Sequence, residues 1–412
     1  MKALFFAAVM FGLATAASAQ QLRFDDVVRN LRNPDPKTRE AAIKLLRDAK
    51  YPEAITPMAP LVLDPVDDIQ LEAIDAELSF YVPDQDVKSR KMIGHVIEQR
   101  KSAIALAAFD LGPLVVWPRN APPELVTSLL QAVDDPHPKV RLEAIYALGV
   151  VATPPLTKLD KDQTQSLIKA LDHFDPAIRT AAARVVGRLN VTDAGDGLIK
   201  AVNDSQPDVR YAAMRALGAI HETRAVQALT EQFKFYTKGE GGWSALDGLA
   251  RIGSSASVPL FKERLQDKDP NIRRAAVEGL GRAGDASSVE ALERIVGSDE
   301  SAMVRMAAAF SLQKLGRNYY GRIADLLSSP KVADQGEEYL IELGPSNVPS
   351  LLPRLQEPDQ GVRESIAEVL GFIGGPGAIP ALQDAAAKDP KGPVGNAATR
   401  AVARIQARGP QA

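Results

Sequence analysis

The chain contains no cysteine. That excludes disulfides, thiolate metal sites and cysteine nucleophiles. Histidine is also scarce: His95, His137, His173 and His221 are scattered along the chain, so no closed transition-metal site of the usual kind is expected. Neither charge sign dominates, with 49 Lys and Arg against 52 Asp and Glu. That balance offers no footprint for nucleic acid and no acidic tail. Aromatic residues make up only 5% of the chain. Beyond the first residues, no apolar run is long enough to span a bilayer.

What is present is a repeat. The phrase Val140-Arg141-Leu142-Glu143-Ala144-Ile145 has counterparts at Ile178-Arg179, Val209-Arg210, Ile272-Arg273, Val304-Arg305 and Val362-Arg363. With the arginine as anchor, the units run through Arg39, Gln70, Lys101, Arg141, Arg179, Arg210, Gly242, Arg273, Arg305, Ala333, Arg363 and Gly395, mostly 31 or 32 residues apart. Lys101 and Ala333 fit by register more than by identity. Such a period marks a solenoid array.

Each unit reads as a helix pair. Asp35-Pro36, Asp175-Pro176 and Asp269-Pro270 stand just before the anchor. Asp accepts the free N–H groups of a first helical turn, and Pro at the first position loses no bond. Three and seven residues past the anchor come Ala144 and Leu148, Ala182 and Val186, Ala213 and Leu217, Ala276 and Leu280, and Ala308 and Leu312, a stripe at helical spacing. Leu111-Gly112, Ile252-Gly253, Ala283-Gly284, Leu315-Gly316, Leu343-Gly344 and Ile373-Gly374 then supply helix-ending glycines. A second helix follows, as in 225–233, 289–295 and 378–385. The expected fold is all-α: a right-handed α-solenoid of about twelve helix pairs.

Asp269-Pro270-Asn271-Ile272-Arg273-Arg274-Ala275-Ala276-Val277-Glu278-Gly279-Leu280-Gly281 resembles the HEAT repeat in its short bacterial form, the phycobilisome-lyase-type HEAT-like repeat. The resemblance covers roughly residues 23–407. It implies that the helix opening with Val-Arg lines the concave side and that Asp and Arg of successive units form a ladder. The ladder should break at Gln70, Gly242 and Gly395. Such scaffolds host many activities, so function is not implied.

Met1-Lys2, the apolar run from Ala3 to about Ala14, and Ala17-Ser18-Ala19 before Gln20 read as a secretory signal with a small-x-small cleavage site. Its removal would leave 48 basic against 52 acidic residues, a net charge of −4. The expected organisation is a signal over 1–19, N-terminal repeats over 20–110 and a Pro-rich connection over 111–123. A C-terminal array over 124–407 and a disordered tail over 408–412 complete it. The expected location is the periplasm or the outside of the cell, with no stable membrane insertion after cleavage.

Catalytic candidates are weak. His221-Glu222 is the chain's one His-Glu, too little for the di-iron centre of the similar helical-repeat hydroxylases, and His221 stands where other units end a helix. Ser166 and Lys169 have Ser-x-x-Lys spacing without its companion motifs. Gly242-Trp243-Ser244-Ala245-Leu246 lacks the final Gly of a nucleophile elbow. Gly239-Glu240-Gly241-Gly242 reads as a flexible turn more than an anion cradle. Asp193-Ala194-Gly195-Asp196-Gly197 is too short for calcium. No catalytic residue, metal or cofactor is therefore assigned.

One set of residues departs from plain scaffold. Just past four consecutive anchors stand Tyr211, Trp243, Arg274 and Met306, and one turn on come Arg215, Asp247, Glu278 and Phe310, with Arg184 in the preceding unit. Aromatic, Arg and Met side chains along a groove are what a binding surface uses. Tyr211, Trp243, Arg274, Met306, Arg215 and Phe310 are the expected contacts for a protein or peptide on the concave face. The expected function is an exported, non-enzymatic scaffold in the cell envelope. The alternatives are an enzyme or enzyme accessory of the lyase-like or hydroxylase-like repeat groups, and a purely structural spacer.

Overall fold

The computed structural model describes residues 24–82, 104–154, 156–236 and 238–409. The signal-like residues 1–19, His95 and the anchor Lys101 lie outside them. Two compact units divide the chain, residues 1–152 and 153–412. No strand occurs among the described residues; the fold is an α-solenoid of helix pairs.

The first unit contains α1 (24–30), α2 (Pro36–Ala49), α3 (Asp67–Leu78), α4 (Ile104–Asp110), α5 (Pro123–Ala132) and α6 (Pro138–Val151), with short turns over 52–63. The Pro-rich segment 111–123 belongs to this unit, and Trp117 there donates its backbone N–H to the Tyr81 carbonyl.

In the second unit the first helices are α8 (Pro176–Arg188), α10 (Pro207–Ala219), α12 (Gly239–Ile252), α14 (Pro270–Arg282), α16 (Ala302–Lys314), α18 (Ala333–Leu343), α19 (Gln360–Ile373) and α21 (Pro393–Ala407). Each packs on the next. Interleaved are the second helices α7 (Lys161–Ala170), α9 (Gly195–Ala201), α11 (Val226–Tyr236), α13 (Val258–Arg264), α15 (Val289–Ser298), α17 (Tyr320–Leu326) and α20 (Ile379–Lys388).

Local chemistry explains the helix boundaries. Asp35, Asp175 and Asp269 accept backbone N–H groups at the openings of α2, α8 and α14. Eleven residues past the anchor the backbone turns left-handed: Gly253 has φ 66° and Gly284 φ 71°, and Lys50, Asn190 and His221 adopt φ 54°, 53° and 53° at the same position. Gly374 is the exception among the expected helix-ending glycines, with φ −74°.

The alanine-rich stripe is the core. Ala182, Val186, Ala213, Leu217, Ala276, Leu280, Ala308 and Leu312 are all buried, each larger side chain contributing about 1.5–3 kcal/mol. Small residues also set the spacing between first helices. A Cβ on Gly218 would come 2.8 Å from Gly248 Cα, and one on Gly281 2.6 Å from Ser311 Cα. The C-terminal boundary differs from expectation: Arg408, placed in the disordered tail by sequence, donates to the carbonyls of Gly371, Phe372 and Gly374. Those are acceptors at the end of α19, where a guanidinium satisfies several orphan carbonyls at once.

Candidate functional site

The anchor arginines are structural. Arg179 donates to both carboxylate oxygens of Asp204, at 2.7 and 2.8 Å, and its third nitrogen reaches the carbonyls of His173 and Phe174. Arg39 does the same with Asp64, and Arg273 with Asp299. Each Asp also accepts the N–H two residues on, as Asp204 does from Gln206. Burial opposes ionisation of Asp204 and Asp299, but the arginine hydrogen bonds prevail and hold both carboxyls below their ordinary value. Bidentate pairing of this kind ties these three units to the ones that follow them.

Two of the expected breaks in this ladder are bridged. Gln70 Nε2 reaches Asp135 at 2.8 Å. At Gly242 the adjacent Trp243 takes over, its indole N–H donating to Asp269 at 2.6 Å. One unit earlier Tyr236 stands where the Asp belongs, and its hydroxyl accepts from Arg210 Nε at 2.5 Å. The Gly239–Gly242 run is the first turn of α12 and not a flexible turn. Its glycines admit the Tyr236 ring, which lies where a Cβ on Gly241 would be. Gly395 has no rung; the Asp389 carbonyl fills the space of its Cβ.

Of the six expected partner contacts, the structure removes three from the surface. Met306 and Phe310 are 0% exposed, and Arg274 is largely buried. The reason is α18, which packs against the face that carries them. Tyr339 of α18 stacks on Phe310 with ring centroids 4.2 Å apart. Gly336 lets α18 close over Met306, whose Sδ lies 3.1 Å from where a Cβ would stand.

Beneath α18 lies a buried charge cluster. Glu278 accepts from Arg274 at 2.5 Å, Arg282 at 2.7 Å and the Tyr339 hydroxyl at 2.5 Å. Arg274 also pairs with Asp247 at 2.5 Å, and Arg282 with Glu342. Burial alone would neutralise Glu278; Arg274 and Arg282 outweigh it and hold its carboxyl at about 2. Burial raises Asp247 despite Arg274, and the Tyr339 hydroxyl is pushed well above its ordinary range by burial and by Glu278. Removing one member of such a cluster would leave a buried charge uncompensated.

Tyr211, Arg215 and Trp243 remain at the surface, the first and last half-buried, Arg215 with half of its side chain exposed. Two residues that the sequence reading passed over join them. Phe235 is 76% exposed and lies edge-on to Tyr236, which is edge-on to Tyr211 at 5.6 Å. Arg210 sits over the Tyr236 ring. The available signal was the run Phe233-Lys234-Phe235-Tyr236, which puts aromatics where neighbouring units carry Asn203-Asp204.

Profiles of HEAT repeats match residues 164–234, 242–313 and 327–403, and a second HEAT-repeat profile matches 125–153. The chain belongs to the HEAT-repeat family. No curated protein matches its sequence. Among solved structures, an engineered protein from the Northeast Structural Genomics Consortium is 20% identical with a TM-score of 0.43, over 93% of this chain and 98% of its own. The CpcE–CpcF complex of phycocyanin lyase from Nostoc sp. PCC7120 is 19% identical with a TM-score of 0.36, over 60% of this chain and 94% of its own. Both likenesses are too distant to bear on activity.

The remaining candidates take HEAT-repeat scaffold roles. His221 ends α10 and its ring bonds the Arg251 carbonyl at 2.8 Å, while Glu222 pairs with Arg224. His173 Nδ1 accepts from the Asp175 N–H. Ser166 and Lys169 lie on α7, with Leu167 between them in the core. Among the described residues no three His, Asp or Glu side chains gather as metal ligands, and no helix is long and apolar enough to cross a membrane.

Proposed function

We propose that this HEAT-repeat chain is an exported, non-enzymatic scaffold that binds a protein or peptide partner in the cell envelope, periplasmic or secreted. The observation that carries the binding reading is the aromatic cluster of Tyr211, Phe235 and Tyr236, with Phe235 76% exposed. Exposed aromatics ringed by polar groups are the composition of interface hot spots. Export rests on the basic, apolar and small-residue pattern of residues 1–19.

Affinity capture from an envelope fraction, with residues 20–412 as bait, tests the reading. A partner retained by the natural chain and lost by Phe235→Ala is the expected result. Equal capture by both, or none by either, refutes binding at this cluster. N-terminal sequencing that returns Met1 or Lys2 from the envelope fraction refutes export.

A further inference from the structure

In the regular stack a side chain meets its partner one unit away: Arg179 and Asp204 are 25 residues apart, and Arg274 and Asp247 27. Helix α18 breaks that rule. Its Glu342 reaches back 60 residues to Arg282, Tyr339 61 to Glu278, and Glu338 87 to Arg251. The helix carries Asp334, Glu337, Glu338 and Glu342 and no basic residue. It lies on the side chains five and nine past the anchors: Arg251, Glu278, Arg282, Phe310 and Lys314, the last pairing with Glu342 at 3.4 Å. This face of the first helices therefore already holds one acidic, tyrosine-bearing helix, its carboxylates on Arg and Lys and its ring on an aromatic.

The same positions in the preceding units are occupied by Arg184, Arg188, Arg215 and Ala219. Tyr211 and Trp243 stand one residue past the anchors of the same stretch, Tyr211 edge-on to Tyr236 and Trp243 donating its indole N–H to Asp269. Arg215 pairs with Glu240 at 3.1 Å, with 51% and 55% of the two side chains exposed. An ion pair so exposed contributes little, and a partner carboxylate can replace it.

We propose that the face bearing Arg184, Tyr211, Arg215 and Trp243 docks an acidic, tyrosine-bearing helical segment of the partner protein, as the neighbouring units dock α18. This rests on the scaffold reading above and supplies the chemistry of its partner. Charge complementarity favours that occupant: the column is basic and aromatic, and the segment seated beside it is acidic.

The probe is a fluorescein-labelled peptide of residues 330–346, held helical by a staple joining positions 334 and 341, on the side away from Gly336 and Leu340. Titrated with residues 20–412, it should bind saturably. Arg215→Glu should weaken binding about tenfold, and Arg215→Gln less. A peptide with Glu338→Lys and Glu342→Lys should not bind, and ~0.5 M salt should weaken the natural one. Circular dichroism checks that both variants fold. Absence of saturable binding overturns the proposal. So does binding indifferent to Arg215→Glu but lost with Arg282→Gln, since the peptide would then have exchanged with α18. A partner captured from the envelope fraction equally by the natural chain and Arg215→Glu leaves the scaffold reading standing and removes this one. Capture by neither removes the scaffold reading itself.

Discussion

Replacing Glu278 with Gln keeps the shape of the side chain and removes its charge from the middle of the buried cluster. Its carboxyl is held at about 2 against an ordinary 4.5. At 1.36 kcal/mol per pH unit, that favours the ionised form by about 3 kcal/mol. The variant also leaves Arg274 with Asp247 and Arg282 with Glu342, each short of one counter-charge. A broken buried pair costs about 3–5 kcal/mol, and that range is expected for Glu278→Gln at pH 7. Because the folded-state pKa is depressed, the contribution is complete above about pH 4.5. It is lost as pH falls through about 2. The gap between natural chain and variant should therefore narrow steadily below pH 4.5. Stacked repeats need not unfold in one step, so urea titrations should be paired with hydrogen exchange in 270–282 and 333–343. Those two helices should lose protection first. A variant within about 0.5 kcal/mol of the natural chain at pH 7, or a gap that stays constant down to pH 2, would refute the reasoning.

Phe310→Ala should lower stability by about 3–5 kcal/mol, because the ring is buried under Tyr339; a change under about 1 kcal/mol would return Phe310 to the surface. Trp243→Phe removes the indole donor to Asp269 and should cost about 1–2 kcal/mol by thermal or urea unfolding, whereas no loss would show that this rung carries no load. In the first unit, Glu77 is buried with neither carboxylate oxygen hydrogen-bonded among the described residues, and burial raises its pKa well above the ordinary value. A raised carboxyl destabilises the fold as pH rises through its unfolded value, so Glu77→Gln should stabilise by on the order of 1 kcal/mol at neutral pH, and a destabilised variant would contradict this. Gly218→Ala should destabilise by about 1–3 kcal/mol through overpacking against Gly248, read from the melting temperature.

Much of the molecule follows from local order. A unit of about 31 residues with Asp-Pro before a Val-Arg opening specifies a cap, a helix, a left-handed stop and a second helix. The carboxylate that receives each ladder arginine lies 25 or 26 residues on. Those contacts are short-range along the chain, so pattern reveals them. The break at Gly242 was visible in the same way, though Trp243 and Tyr236 bridging it was not, since that depends on how two aromatic side chains are aimed.

The binding face could not be read so directly. Tyr211, Trp243, Arg274 and Met306 occupy one register position, yet Met306 is buried and Tyr211 is partly open. Register says which way a side chain points from its own helix; it does not say what lies in front of it. Residues 330 and 331, where Arg305 would find its Asp, are Pro and Lys, so no rung draws α18 into line. The helix instead turns its carboxylates onto Arg251 and Arg282 and its Tyr339 onto Glu278, across 60 to 87 residues of chain. Repetition along the sequence determined the stack and its caps. The fold in three dimensions decided which part of its charged, aromatic face stays open, because burial depends on partners distant in the chain.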